Sequence, residues 1–515
     1  MAQQIANGKQ QFIDGNGAPL AGGSVAFYSP GTLNPVNTWQ DSGLTVLNAN
    51  PVTLDANGMA SIWGVGSTQY RQIVKDVLGN TVWDQVVGLI DSYQLSATGA
   101  VVRPVPAKLA ESVSVLDFGA DPTGVADSTA AIQAALTALV NGGKLRVPAG
   151  FYKASGLTWA GAVGASLLIE GDGEASILQI NNTTGTLFTS NGGDVVVSNM
   201  HVEAASVGLQ TAGVFFQFNG GRCELRDVTF SNGYQLAKWN GTTTAVCYGG
   251  GAHNIKFSGT TGTAFYVDCS PSNSQIGGQL FFSKLQGQGV PSTTGYGLQL
   301  VSGDTVMVSD SVIAGFVSNI FSHSSATRGY LANVHFINVD GDGAGGTTTL
   351  GNGWDFDGSA GFLARVDLQR CWAGTMLGNG MSFKNLASLQ IQNCTAINND
   401  QDGILVDTCQ DVEIFGGIVT GNSAATHGSA NGIVVQGTSA GINIQGVRVG
   451  PTQNGTSAGA VDSQNYGIII ASTGVTKYIV MGCDLRGNVT SFQDGGTGTN
   501  GSTKMIYNNI TGTYP

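Results

Sequence analysis

Gly353-Trp-Asp-Phe-Asp357, Gly380-Met-Ser-Phe-Lys384, Gly403-Ile-Leu-Val-Asp407, Gly432-Ile-Val-Val-Gln436 and Gly467-Ile-Ile-Ile-Ala471 are five versions of one phrase, a glycine followed by a short apolar run. Gly297-Leu-Gln-Leu-Val301 matches them, and Ala264-Phe-Tyr-Val-Asp268 and Asn319-Ile-Phe-Ser-His323 match more loosely. Between these phrases runs a second one, with apolar residues at positions 0 and +5 and a small or apolar residue at +3. Its members are Val308/Ser311/Ile313, Leu331/Val334/Phe336, Leu368/Cys371/Ala373, Ile391/Cys394/Ala396, Ile414/Gly417/Val419, Ile444/Val447/Val449 and Val480/Cys483/Leu485. The steps between them are 23, 37, 23, 23, 30 and 36 residues, a base period of 23 with insertions. Helical repeats need longer units with 3.6-residue patterning, and propeller blades need about 40 residues or more. A 23-residue unit of short strands and tight turns fits the coil of a parallel β-helix, each coil stacked about 4.8 Å from the last. Glycine and asparagine are expected at its corners, where φ is positive. Asn352, Asn379, Asp402 and Asn431, each just before its glycine, are read as such corners. Cys371, Cys394 and Cys483 share one internal column.

Composition agrees. Of 515 residues 78 are glycine and 12 proline, with 10% charged and 42% apolar. Ordinary domains carry about 7% glycine and about 25% charged residues. Disorder needs high charge and low hydropathy, and collagen needs a G-X-Y register; neither is present. The net charge is 21 − 33 = −12, which repels phosphate backbones and argues against general nucleic-acid binding. The opening Met1-Ala-Gln-Gln-Ile-Ala-Asn-Gly-Lys9 lacks the pattern of a signal peptide, and no apolar run approaches 18 residues, so no membrane insertion is expected. The seven cysteines are scattered, without a C-x-x-C pair, and read as reduced, buried thiols in a protein made in the cytoplasm.

Three zones follow. Residues 1–90 are short alternating runs, such as Ser24–Tyr28, Met59–Trp63 and Thr81–Trp83, between turns such as Asp14-Gly-Asn-Gly17 and Asp55-Ala-Asn-Gly58. They make a small β domain. Residues 91–112, with Arg103-Pro-Val-Pro106, read as a linker that continues neither helix nor strand. Residues 113–515 are the β-helix, opened by one short helix near 129–139 whose apolar face is Ile132, Leu136 and Leu139, capped by Asp127 or Ser128.

The segment Ser114-Val-Leu-Asp117-Phe-Gly-Ala-Asp121-Pro-Thr-Gly124-Val-Ala-Asp127, continuing through Val147-Pro-Ala-Gly150-Phe-Tyr152, resembles the cap that opens pectate-lyase-like right-handed β-helix proteins. The resemblance implies an all-β, right-handed parallel β-helix, with Asp117, Asp121 and Asp127 as turn and cap residues. Residues 11–90, through Phe12-Ile-Asp-Gly15, Leu20-Ala-Gly-Gly23-Ser-Val-Ala-Phe-Tyr28 and Pro51-Val-Thr-Leu-Asp55-Ala-Asn-Gly58, resemble the virion-anchoring domain of bacteriophage tailspikes and tail fibres. Together the two imply a homotrimeric tailspike in the virion, attached to phage tail or adaptor proteins by its N-terminal domain and directed at a bacterial surface polysaccharide. They do not decide between a depolymerase, with glycoside hydrolase favoured over lyase, and a non-enzymatic adhesin or tail structural protein.

Glycoside hydrolysis needs two carboxylates, about 5–5.5 Å apart for retention and about 6.5–9.5 Å for inversion. In the first phrase the apolar +1 and +3 residues face inward, so +2 and +4 face out. The +4 column reads Asp268, Val301, His323, Asp357, Lys384, Asp407, Gln436, and the +2 column Tyr266, Gln299, Phe321, Asp355, Ser382, Leu405, Val434. Asp355 and Asp357 are two residues apart on one strand, about 7 Å, and Asp407 lies two coils on, about 10 Å from Asp357. These three are the catalytic candidates. Tyr266, Phe321, His323 and Lys384 are candidate sugar contacts, with Arg370 and Trp372 as a possible second platform. The alternatives are glycan contact without chemistry, or a charge ladder in which Lys384 neutralises Asp357 and Asp407. Asn398–Gly403 with His427-Gly428 faintly resembles polygalacturonase motifs but lacks their Asp-Asp pair, so Asp402 reads as a turn residue. Asp340-Gly-Asp342-Gly-Ala-Gly-Gly lacks the further ligands of a calcium loop, and His201, His253 and His335 are isolated; no metal or cofactor is expected.

Overall fold

The computed structural model describes residues 2–65, 69–88, 92–93, 97–99, 101, 103–162, 164–270, 272, 277–290, 294–325, 330–343, 351–451 and 464–512. The chain divides into two compact units, Met1–Ser112 and Val113–Pro515.

In the first unit one antiparallel sheet runs in the order Val52–Thr53, Ser24–Tyr28, Tyr70–Lys75, Thr81–Val87, and Ala2–Gln11 pairs with Met59–Val65. Phe12, Phe27, Ile62, Tyr70 and Val74 form its core. One turn recurs three times. Asp14, Asp55 and Asp76 each accept the backbone N–H groups two and four residues on, at 2.8–2.9 Å. The residue three on is Gly17, Gly58 or Gly79, at φ 84°, 69° and 89°. Within the segment read as a linker that continues neither helix nor strand, Arg103–Pro104 pairs with Ser92–Tyr93, and Val105–Leu109 is helical. Pro106 is tolerated because it lies in the first turn, where its missing N–H has no partner to lose.

The second unit opens with a capping box at Ser114 and Asp117, closed by left-handed Gly119. Asp121 repeats the turn of the first unit, accepting from the N–H groups of Thr123, Val125 and Ala126. The helix spans Thr129–Ala138 and buries Ile132 and Leu136, with Leu139 at its end. After it no further helix occurs among the described residues. A parallel solenoid of about thirteen turns follows.

Each coil contributes to two parallel ladders. One is built of short strands: Phe188–Asn191, Phe216–Asn219, Ala237–Asn240, Phe265–Asp268, then Ser318–His323, Trp354–Asp357, Met381–Lys384, Ile404–Asp407 and Ile433–Gln436. The other is built of longer bent strands such as Ser166–Ile180, Asp194–Ala204 and Gly221–Ser231, which divide further on into pairs such as Leu363–Gln369 and Trp372–Gly374. One apolar core runs from Val115 to Leu485 and includes all seven cysteines, Cys371, Cys394 and Cys483 among them. All seven are buried and free.

The register corrects the repeat arithmetic. Val308 pairs with Phe336, and Phe336 with Leu368, so the set Leu331/Val334/Phe336 slips by five residues. The steps are 336 − 308 = 28 and 368 − 336 = 32, in place of 23 and 37. Among the described residues of this ladder the 23-residue coil occurs only from Leu368 to Ile391 to Ile414. Earlier coils such as Ile169 to Val197 to Leu225 take 28. Alternation along Leu331–Phe336 is regular enough to fit either frame; only pairing chooses.

The corners are also elsewhere. Asn352, Asn379, Asp402 and Asn431 do not have positive φ. Their side-chain oxygens instead accept the backbone N–H of the equivalent residue one coil on: Asn379 to Asn352 at 2.8 Å, Asp402 to Asn379 at 3.0 Å, Asn431 to Asp402 at 2.7 Å. The left-handed corner is the column Asn199, Asp227, Asn254, Lys284, Asp310, Asn338, Arg370 and Asn393, continued by Gly416, Gly446 and Gly482. The glycines that open the first phrase serve close approach. A Cβ on Gly353, Gly380 or Gly403 would lie 2.7–2.8 Å from the next coil's carbonyl oxygen.

Candidate functional site

The short-strand ladder sets the +2 residues in the order Lys238, Tyr266, Gln299, Phe321, Asp355, Ser382, Leu405, Val434. The +4 residues run His323, Asp357, Lys384, Asp407, Gln436. Seven of the nine residues singled out from the sequence thus lie on one ladder. Asp268 leaves it: the register shifts after Val267, Asp268 pairs with Ser302 in place of Val301, and its carboxylate is buried on the Ser302 hydroxyl at 2.7 Å. Tyr266 lies two coils before Phe321, with the Lys238 ammonium 5.0 Å from its ring centre.

Asp355 and Asp357 alternate with buried Trp354 and Phe356, which fixes both carboxylates on the outer face. They differ in surroundings. Asp355 is 18% exposed, with the His323 imidazole Nε2 3.6 Å from Oδ2. Beside it the rings form a stack. Tyr296 lies over Phe321 at 3.7 Å between centres and 12° between planes, and Phe321 meets His323 at 4.2 Å. Burial and the charge of Asp355 push the Tyr296 phenol up. Burial alone would raise the Asp357 carboxyl, but hydrogen bonds from Ser359 and Asn385 and the nearby His323 hold it below the ordinary aspartate value. The Ser359 N–H and Asn385 amide reach Asp357 Oδ1 at 2.8 and 3.2 Å. Asp407 is likewise satisfied, by Gln436 at 2.9 Å and Thr408 at 2.9 Å. Lys384 stands between the two in register but makes no ion pair with either, so amides and hydroxyls replace the expected charge ladder.

Two features of this face escaped the sequence. Tyr296 precedes Gly297, a position where four later coils carry Asn352, Asn379, Asp402 and Asn431 and a fifth carries Tyr466, so a tyrosine in that column was its only signal. The face is also more closed than alternation implies: Phe321, Ser382, Leu405 and Val434 are buried. The Ser382 hydroxyl, one coil from Asp355, is buried without a hydrogen-bond partner.

Arg370 and Trp372 are not brought to this face. Both belong to the other ladder, where Arg370 is an exposed left-handed corner at φ 53° and Trp372 pairs with Asp340 and Thr395. The Trp372 ring lies along Gly374, and its carbonyl accepts the Trp354 indole N–H at 3.2 Å. Asp340 and Asp342 end the strand Leu331–Asp342 in place of opening a loop; residues 344–346 of that motif lie outside the described residues. Burial, then the neighbouring Asp342, pushes the Asp340 carboxyl up. Asn399 joins a buried amide ladder, Asp402 the turn ladder, and His427 is exposed and apart from both. No group of three or more metal-ligating side chains occurs among the described residues, and no described helix is long and apolar enough to cross a membrane.

No family model and no curated protein matches the chain. Among solved structures it is similar to tailspike protein 3 of bacteriophage CBA120, at 14% identity and TM-score 0.54, over 82% of this chain and 65% of that one. It is also similar to the pre-mature gene product 12 of bacteriophage phi29, at 12% identity and TM-score 0.52, over 78% of this chain and 56% of that one. The chain thus spans less than two thirds of either protein's length, and what it shares with both phage proteins is the parallel β-solenoid fold.

Proposed function

We propose that the chain is a bacteriophage tailspike that recognises and cleaves a bacterial surface polysaccharide on the outer face of its short-strand ladder. The observation that carries this reading is the ring stack Tyr296–Phe321–His323 set directly against the carboxylate pair Asp355/Asp357. Aromatic faces pack against the C–H faces of sugar rings, and two carboxylates two residues apart on one strand, about 7 Å along the backbone, fall in the range that inverting hydrolysis uses. The likeness in fold to a phage tailspike supports the setting. In this mechanism Asp355 is the acid that gives a proton to the glycosidic oxygen as the bond to the anomeric carbon breaks. Asp357, held ionised by Ser359 and Asn385, takes a proton from the water that attacks that carbon from the opposite side. His323 stands beside Asp355 to return the proton. The same reading makes the protein a homotrimeric component of the virion, attached to the tail by residues 1–90.

The test is incubation of the purified protein with capsular or O-polysaccharide from the phage's host, following new reducing ends and the absorbance of unsaturated uronates. Reducing ends without that absorbance, abolished by Asp355→Asn, are expected. Binding without cleavage would leave the adhesin reading, and full activity in both Asp355→Asn and Asp357→Asn would move the chemistry off this face.

A further inference from the structure

The long-strand ladder carries a second concavity, remote in register from the one described. Its floor includes Gly249 and Gly250, followed in the chain by buried Gly251, and all three have positive φ. Side chains are excluded there: a Cβ on Gly250 would collide with the Cys223 carbonyl, and one on Gly251 with that of Phe281. In the column Val196, Glu224, Gly251, Phe281 the glycine therefore leaves a gap one coil deep, and the groove around it encloses about 640 Å³. That lies within the roughly 300–1,000 Å³ typical of ligand sites.

The groove is lined by paired charges and one bare ring. Arg226 clasps Glu224 with two hydrogen bonds, the Nη2 arm at 2.6 Å. Arg222 donates its backbone N–H to Asp194 at 2.9 Å and leaves its guanidinium two-thirds exposed, 3.9 Å from that carboxylate. His253 shares a hydrogen bond with Ser283 at 2.9 Å and lies 3.5 Å from Glu224. Burial, more than the opposing pull of Glu224, holds His253 below its ordinary value and hence neutral near pH 7. Two arginines against two carboxylates leave no net charge. Phe281 on the wall is 43% exposed.

We infer that this groove is a second saccharide site, taking a neutral oligosaccharide segment with Phe281 as its ring platform and Arg222, Glu224 and Arg226 as partners for vicinal hydroxyls. Planar guanidinium and carboxylate groups match diol spacing, and here they are pre-oriented by pairing with one another. The absence of net charge disfavours both anionic and cationic chains, while a glycine floor lets a flat sugar lie against the backbone. A peptide would find no unpaired strand edge here, because both neighbouring coils are already bonded. The inference rests on the polysaccharide reading for its class of ligand. It concerns binding, so it can fail or hold whether or not Asp355 and Asp357 cleave anything.

The experiment uses the full chain on an array of bacterial-polysaccharide repeat-unit oligosaccharides, neutral and charged, with calorimetry on the strongest neutral binder. Phe281→Ala and Arg222→Ala are the variants; both side chains are exposed, so folding is spared. Neutral-glycan affinity should fall about tenfold or more in Phe281→Ala, return in Phe281→Tyr, and persist in Asp355→Asn. An array on which no neutral signal depends on Phe281 or Arg222 overturns the inference.

Discussion

Replacing Asn422 by alanine tests the claim that buried amides, as much as apolar packing, hold the later coils in register. Asn399 and Gln464 are fully buried, and Asn422 is 1% exposed. Asn422 donates to Gln464 Oε1 at 2.9 Å and to the Ala396 carbonyl at 3.0 Å. It accepts from the Asn399 side chain at 2.8 Å and backbone N–H at 3.3 Å. Alanine removes all four bonds. The Asn399 amide keeps the Ala373 carbonyl at 3.3 Å, but Gln464 Oε1 and the Asn399 N–H lose their partners. Each buried polar group left unsatisfied costs about 1–3 kcal/mol, so the two together give roughly 2–6 kcal/mol. Coil stability propagates between neighbours, so the loss should appear locally before global unfolding. The assay is amide hydrogen exchange with urea titration. Protection should fall in Thr395–Ile397, Ile418–Thr420 and Arg448–Gly450 and remain in the coils before Gly221. Asn422→Ala unfolding within about 0.5 kcal/mol of the parent, the spread of ordinary surface substitutions, would refute the reasoning.

Three further outcomes follow from the same geometry. Tyr296→Ala, which removes the partly exposed ring of the stack and leaves buried Phe321 in place, should weaken glycan binding about 2–10-fold, the value of a ring stack of about 0.5–1.5 kcal/mol, read by calorimetry, without changing the turnover of bound substrate as Asp355→Asn does. Because the folded carboxyl of Asp357 lies below the ordinary aspartate value, its contribution to stability is present above that value and fades as pH falls through the folded one. The acid limb of activity should therefore lie below the ordinary aspartate range and move up in Asn385→Ala and Ser359→Ala, measured as the pH profile of kcat. Asp121, held down to about 2 by Thr123 and by the Ala126 and Val125 N–H groups, should keep the solenoid's opening turn protected until pH approaches that value. Asp121→Asn should expose the amides of Thr123, Val125 and Ala126 to exchange at neutral pH.

Much of the fold was legible in local chemistry. The Ser114/Asp117 box, the Asp-x-x-Gly turns and the apolar face of Ile132, Leu136 and Leu139 are short-range devices whose partners lie within a few residues. The alternation of Trp354/Phe356 with Asp355/Asp357 places the acid pair outside without reference to any other coil. What the alternation does not reveal is depth. Ser382, Leu405 and Val434 occupy outward positions and are nonetheless buried, because exposure depends on neighbouring coils and loops as well as on the face a residue occupies.

The abundance of glycine marks the division between the two levels. From sequence alone the glycines and asparagines announce a repetitive β structure with tight corners, and that inference needs only their frequency and spacing. Their individual duties belong to the tertiary structure. Arg370 and Lys284 take the left-handed corner that glycine was expected to fill, whereas Gly353 and Gly380 are needed because the next coil's carbonyl stands where a Cβ would be. The same holds for Asp402, whose oxygen caps an N–H 29 residues away. A strand pattern of period two is unchanged by sliding one coil along the next, so only inter-coil hydrogen bonding and packing could select the register that sets Tyr296 on Phe321 and His323 against Asp355.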